Sequence, residues 1–187
     1  MDQREARDVG GGEVEGIRIR AAGPADFEAI RAVEQAAGIR FVEAGLPSVA
    51  DDPDPTDEEL APAATAGGLW VAVDSTDRIV GWAQADVVDG EGYLHQVTVH
   101  PDHERRGIGS ALVETVLRWT AARGLDALAL TTFRDVPWNA PWYGRRGFVV
   151  LDTAELGSGL AAIRAEERAR GLDVGPRVAM RRPIAAP

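Results

Sequence analysis

The sequence predicts a mixed α/β fold, α+β in arrangement: one mostly antiparallel sheet with a parallel strand pair at its centre and helices on both faces. Two observations carry this. The first is a run of three β-rich segments, Leu69–Val73, Ile79–Val88 and Tyr93–Val99, joined by Ser75-Thr76-Asp77 and Asp89-Gly90-Glu91-Gly92. Short turns of this kind join antiparallel neighbours. The second is the stretch Val97 to Gly124, which reads strand, glycine loop, helix. From Ile108 the apolar stripe continues through Leu112, Val113, Val116, Leu117 and Thr120, the spacing of a helix with one buried face, and Gly124 stands where a C-terminal glycine belongs. Ala127–Phe133 then returns as a strand. A strand–helix–strand crossover sets it parallel to the Val97 strand.

The flanking elements follow from local pattern. Residues 1–15, charged and containing Gly10-Gly11-Gly12, are expected to form a mobile tail ahead of a single domain spanning 16–187. Ile17 and Ile19 alternate with arginines as a short first strand. Pro24 opens a helix whose apolar positions Phe27, Ile30, Ala32 and Val33 run up to Gly38. Phe41 to Ala44 reads as a separate short helix. Thr56 with Glu59 forms a capping box for the next one. The acidic stretch Asp51 to Glu59 reads either as a lip that collects a cationic molecule or as a solvated loop and helix start. Gly81 marks a possible bulge. Trp138 to Arg146 is expected as a short helix, Phe148 to Leu151 as a strand, Leu156 to Gly171 as a helix striped by Leu160 and Ile163, and Arg177 to Arg181 as a last strand.

Composition excludes several classes. With 187 residues, 45% of them hydrophobic, the chain is long enough for a real core. It has no cysteine, which rules out disulfides, thiolate metal sites and a cysteine nucleophile, and fits a cytoplasmic protein. A formal charge of −10 disfavours nucleic acid and attracts cationic acceptors. No apolar run is long enough for a membrane span, and Met1 to Glu5 is not followed by the apolar core of a secretory signal. His95, His100 and His103 straddle a strand end and a proline turn, so no metal site is expected of them.

The loop Arg105-Arg106-Gly107-Ile108-Gly109-Ser110 carries the chemistry. A helix start has unpaired N–H groups and a partial positive charge. Gly107 and Gly109 admit close backbone approach, the two arginines add charge, and Ser110 adds a hydroxyl; together they suit a phosphate or pyrophosphate. An ordinary tight strand-to-helix turn is the alternative. No lysine is present for a nucleotide P-loop, and only two glycines fit the dinucleotide fingerprint.

Val99-His100-Pro101 followed by Gly107-Ile108-Gly109 resembles motif A of the GNAT superfamily of acyl-CoA-dependent N-acyltransferases, and Tyr143-Gly144-Arg145-Arg146-Gly147-Phe148 resembles its motif B, Tyr-x-x-x-Gly-Phe. Glu104 departs from the pattern, standing where Gln or Arg is usual. The resemblance implies a GNAT-like fold with a splayed central strand pair, Val97–Val99 on one side and Leu130–Phe133 on the other. It implies acetyl-CoA as acyl donor, no metal, and an amine acceptor, small molecule or peptide, in a monomer or homodimer. The segment Val97-Thr98-Val99 would meet the acetyl and pantetheine through its main chain, and Arg105, Arg106, Gly107, Ile108, Gly109 and Ser110 would hold the pyrophosphate. Tyr143 would be the general acid that protonates the departing thiolate. The usual pantetheine asparagine is Val136 here, and Asn139 is its nearest substitute. Trp138 and Trp142 either wall the acceptor pocket or belong to the core. His95, expected on the same strand face as Tyr93 and Val97 unless a bulge intervenes, is either the general base or a structural histidine, with Glu91 or a water chain as the other source of base. The functional reading is an N-acetyltransferase; the alternative is a non-catalytic acyl-CoA-binding regulatory module.

Overall fold

The computed structural model describes residues 14–184. Its elements are β1 (Ile17–Ala21), α1 (Phe27–Glu43), α2 (Pro47–Ala50), α3 (Asp57–Thr65), β2 (Leu69–Asp74), β3 (Ile79–Val88), β4 (Glu91–Val99), α4 (Ile108–Ala122), β5 (Ala127–Phe133), α5 (Ala140–Gly144), β6 (Val149–Val150), α6 (Ser158–Ala169) and β7 (Arg177–Pro183). One seven-stranded sheet runs in the order β1-β2-β3-β4-β5-β7-β6, antiparallel except for the parallel pair β4–β5.

Two layers cover the sheet. On one face α4 and α5 bury Ile108, Leu112, Val113, Val116, Ala140 and Tyr143 against strand residues such as Val80, Leu94 and Leu130. On the other face α1 and α3 bury Ile30, Val33 and Leu60 against Val71, Val73 and Trp82, and α6 sets Leu160 on Tyr93, Ala129 and Ala179. Removing such side chains from water contributes roughly 1.5–3 kcal/mol each, which fixes the helices on both faces as the apolar stripes require.

The parallel pair parts. The β4–β5 ladder holds only at Gly92↔Leu128, Tyr93↔Ala129 and Leu94↔Leu130. Beyond it Val97–Val99 pair with β3 alone, and Thr131–Phe133 with β7 alone. A V-shaped split therefore opens from His95 and Thr131 onward, lined by inner strand edges.

Several expectations need correction. The expected tail lies outside the described residues for 1–13, but Val14, also assigned to it, bridges to Ile17 and packs on the core. Helix α1 does not stop at Gly38. It continues through Gly38, which packs on Ala50 of α2, to Glu43 and absorbs the short helix expected at Phe41. The phase expected for β4 fails at a bulge. Gln84 pairs Gln96 while Ala85 pairs Leu94, so His95 is the extra residue. In consequence Tyr93 packs under α6 and Val97 packs toward α4, on opposite faces. Glu91 is not a turn residue; it begins β4 and is held by Arg181 on β7 at 2.6–2.9 Å. The helix expected at Trp138 starts only at Ala140, the strand expected at Phe148 is two residues long, and the last strand runs on to Pro183.

Candidate functional site

The anion loop has the backbone its sequence implies. Arg105 (φ 58°) and Gly107 (φ 86°) both lie in the left-handed region, and Gly107 is the N-cap of α4. The turn is thereby wound so that the loop runs straight into a fifteen-residue helix. The first intrahelical bond is Ala111 N–H to Gly107 O at 3.0 Å, which leaves the N–H groups of Ile108, Gly109 and Ser110 without helical partners. Arg105, Arg106 and Gly107 are exposed, Gly109 and Ser110 half-buried, and Ile108 is core, so Ile108 offers only its main chain. Arg106 Nη1 donates to His103 Nδ1 at 3.0 Å. Exposed cations and orphan N–H donors at a helix start suit a phosphate-bearing ligand.

Motif B reaches the same loop. Arg146 Nη2 donates to Ser110 Oγ at 2.6 Å, Nη1 donates to the Trp142 carbonyl at 3.0 Å, and the guanidinium lies 3.5 Å from the Trp142 ring centroid. Trp142 in turn covers Gly109, with ring atoms 3.7–3.9 Å from where a Cβ would be. Trp142 thus packs on the α4-side core and lines the glycine loop. Arg146 adds a cation that its place inside Tyr-Gly-Arg-Arg-Gly-Phe did not mark out from Arg145.

Tyr143 is buried in the α4-side core between Trp142 and Phe148, with ring centroids at 4.9 and 5.5 Å. Burial drives its pKa well above the usual phenol value, so the proton is held firmly at neutral pH. Asn139 caps α5 through its carbonyl, which accepts from Trp142 and Tyr143 N–H at 2.8 and 3.0 Å; its side chain makes no capping bond. Val136, at the usual asparagine position, is buried.

His95, at the bulge, is solvent-accessible at the vertex of the split, edge-on to Tyr93 at 4.6 Å. Desolvation by the surrounding chain lowers its pKa, and the pull of Asp86 and Glu166 opposes this. Opposite, Tyr93 Oη lies 2.9 Å from Thr131 Oγ1, and Thr131 donates to Glu167, which also receives Arg164 and, at 2.7 Å, Arg177. Burial outweighs that Thr131 bond and pushes the Tyr93 phenol up to about 12. The α6–β7 side of the split is thus tied together through Thr131 and Glu167.

A carboxylate missed by the sequence reading lies behind β4. Glu34 on α1 accepts from Trp82 Nε1 at 3.0 Å, Gln96 Nε2 at 2.7 Å and Thr98 Oγ1 at 2.7 Å. Burial raises its pKa despite these donors. Gln96 and Thr98 flank Val97, so the Thr98 side chain faces α1 and not the anion loop. The signal was present: Glu34 is four residues after Ile30, on the buried stripe of α1, where a charge is out of place.

Beyond the strand ends, Phe41 meets Phe133 and Trp138 at 6.1 Å each, and Arg40 lies over Trp138 at 4.1 Å. Two surface depressions, of about 330 and 210 Å³, are lined by Arg20, Arg78 and His100 and by Asp89, Glu91 and Arg181; neither includes the anion loop or Tyr143. Among the described residues no helix is long and apolar enough to cross a membrane, and no group of three or more potential ligands is placed to hold a metal ion.

A split parallel pair, a glycine loop feeding a long helix on one side and a buried tyrosine after the other strand define an acyltransferase architecture. The chain belongs to the acetyltransferase (GNAT) family, whose model matches residues 35–148. It is 38% identical over 73 residues to a mycothiol acetyltransferase of Clavibacter michiganensis subsp. michiganensis, a match covering 39% of this chain and 23% of that one. In fold it is similar to N-acetylglutamate synthase of Neisseria gonorrhoeae complexed with coenzyme A and N-acetyl-glutamate (TM-score 0.68, 17% identity, 91% of this chain and 35% of that one). It is also similar to the PaiA N-acetyltransferase of Thermoplasma acidophilum in complex with coenzyme A (TM-score 0.65, 15% identity, 89% and 98%). The chain thus spans about a quarter to a third of the length of the first two.

Proposed function

We propose that this protein is an acetyl-CoA-dependent N-acetyltransferase of the cytoplasm that acts on a primary amine of a small molecule or peptide. The observation that carries this reading is the split itself. β4 and β5 part at Leu94↔Leu130, with the α4 anion loop beyond one strand and Tyr143 beyond the other. Coenzyme A in the two structural relatives supports the donor.

In this reading the α4 N-terminus, Arg105, Arg106 and Arg146 bind the diphosphate, the unpaired edge at Val97–Val99 receives the pantetheine and acetyl groups, and Asn139 lies at the α5 end of the same wall. His95, neutral at pH 7 because its pKa is lowered, takes a proton from the acceptor ammonium directly or through water. The free amine attacks the thioester carbonyl; the new C–N bond forms and the C–S bond breaks, the Tyr143 phenol gives its proton to the thiolate, and the second proton shed by the amide nitrogen returns through water to the phenolate.

The test is thiol release from acetyl-CoA across an amine library. Acceptor-dependent release is expected. Tyr143→Phe should lower turnover roughly ten- to ten-thousand-fold with donor affinity unchanged, because the proton moves only in the transition state. His95→Gln should flatten the acid limb of the pH profile, which lies below the ordinary imidazole value. Coenzyme A binding without release for any amine would leave a non-catalytic binding module.

A further inference from the structure

Glu104 puts a negative charge at the entrance of a loop built for anions, directly before Arg105 and Arg106. Like charges at close range oppose a diphosphate there, so the carboxylate needs a partner. It has one, on a different element. Arg40 Nη1 lies 2.8 Å from Glu104 Oε1, with side chains 31% and 24% exposed. The contact is ionic without hydrogen-bond alignment, since that oxygen is buried and accepts no bond. The same guanidinium lies over Trp138 at 4.1 Å, and the next residue, Phe41, reaches Trp138 and Phe133 at 6.1 Å. One side chain of α1 therefore touches the loop after β4 and the loop after β5, the two lips of the split.

We propose that Arg40 is a positioning residue of the donor site: carried on α1, it cancels Glu104 and so lets a loop containing a carboxylate hold a diphosphate. Stacked on Trp138, it also ties the donor loop to the aromatic wall of the opposite lip. This rests on the acyl-CoA reading above. It has an electrostatic signature that a mere clamp lacks. Loss of Arg40 exposes the diphosphate to an uncompensated carboxylate. Loss of Glu104 leaves a free guanidinium beside the diphosphate. Loss of both restores neutrality.

The experiment is a coenzyme A titration of the full chain and of Arg40→Met, Glu104→Gln and the double variant at one ionic strength, with ligand-free melting as the check on folding. Arg40→Met should weaken binding about tenfold, Glu104→Gln should bind as tightly as the parent or tighter, and the double variant should return to within about threefold of the parent. An Arg40→Met protein that binds normally overturns the proposal, as does a double variant no better than Arg40→Met. Should Arg40→Met fail to fold, Glu104→Gln still decides, because tenfold weaker binding by it marks a clamp. A parent that does not bind coenzyme A overturns the acyl-CoA reading and this proposal with it; normal binding by the parent with either contrary pattern overturns only this one.

Discussion

Two ionisable side chains flank the same strand segment with opposite solvation. His95 stands at the open vertex, while Glu34 lies behind Gln96 and Thr98 among donors and, among the described residues, without a paired cation. Desolvation lifts the Glu34 pKa above the ordinary carboxylate value. A folded pKa above the unfolded one means that this residue's contribution is fully present below the unfolded pKa and is lost as pH rises through the folded one. Glu34→Gln keeps the shape and removes that titration, with Gln96 free to turn its amide toward the new NH₂. The variant should therefore gain on the parent in melting temperature as pH rises, the gap being larger at pH 8 than at pH 5. A gap that stays constant or narrows would show that the three donors already compensate the buried charge. Tyr143 and the glycine loop were legible because their residue types stand at the spacing of the two motifs. Glu34 and Arg40 act through neighbours at 82, 96, 98, 104 and 138, which only the folded chain brings near.

At the level of elements, periodicity located the helices and strands but not their ends. Gly38 reads as a stop because glycine usually weakens a helix, yet α1 runs through it and packs it on Ala50, where a Cβ would meet an ordinary 3.6 Å contact. The β4 bulge left a trace in the sequence. Leu94 and Val97 are both apolar and face α4 although they are three residues apart, an odd separation that alternation forbids without an extra residue. Glycines divide in the same way. Gly68, at the entry to β2, accepts from Ala85 N–H at 2.8 Å, and a Cβ there would fall within contact distance of the Ala85 carbonyl oxygen, on backbone that cannot yield. At Gly109 a Cβ would meet Val99 and Trp142 at an ordinary 3.7 Å. Gly68→Ala should cost about 1–3 kcal/mol, read as a melting temperature several degrees lower. Gly109→Ala should be neutral or slightly stabilising in the ligand-free protein, since alanine favours the helix. Equal losses at both positions would contradict this packing.

Over the whole molecule the sheet is nearly two half-sheets, β1–β4 and β5–β7–β6, joined by a ladder of three residue pairs and by α4, which leaves one half and returns to the other. The crossover was legible in the sequence, since strand, glycine loop, helix and strand follow in order; how early the ladder ends was not, because that depends on the bulge and on β7 claiming the far edge of β5. A donor seated in the split touches both halves: the α4 loop belongs to one, and the Trp142–Arg146 wall, which follows β5, to the other. Such a ligand is bound only when both halves are assembled, so its binding free energy adds to the stability of the entire fold by mass action. At a hundred times its dissociation constant it contributes about 2.7 kcal/mol, and a chain of this size shifts by roughly 2–4 °C per kcal/mol. Coenzyme A at saturating, millimolar concentration should therefore raise the melting temperature by roughly 5–10 °C as a single transition. Hydrogen exchange should slow on both lips, near Arg105 and near Trp142. Protection confined to the α4 loop would mean that the donor engages only one half, and no shift in melting temperature would remove the split as the donor site.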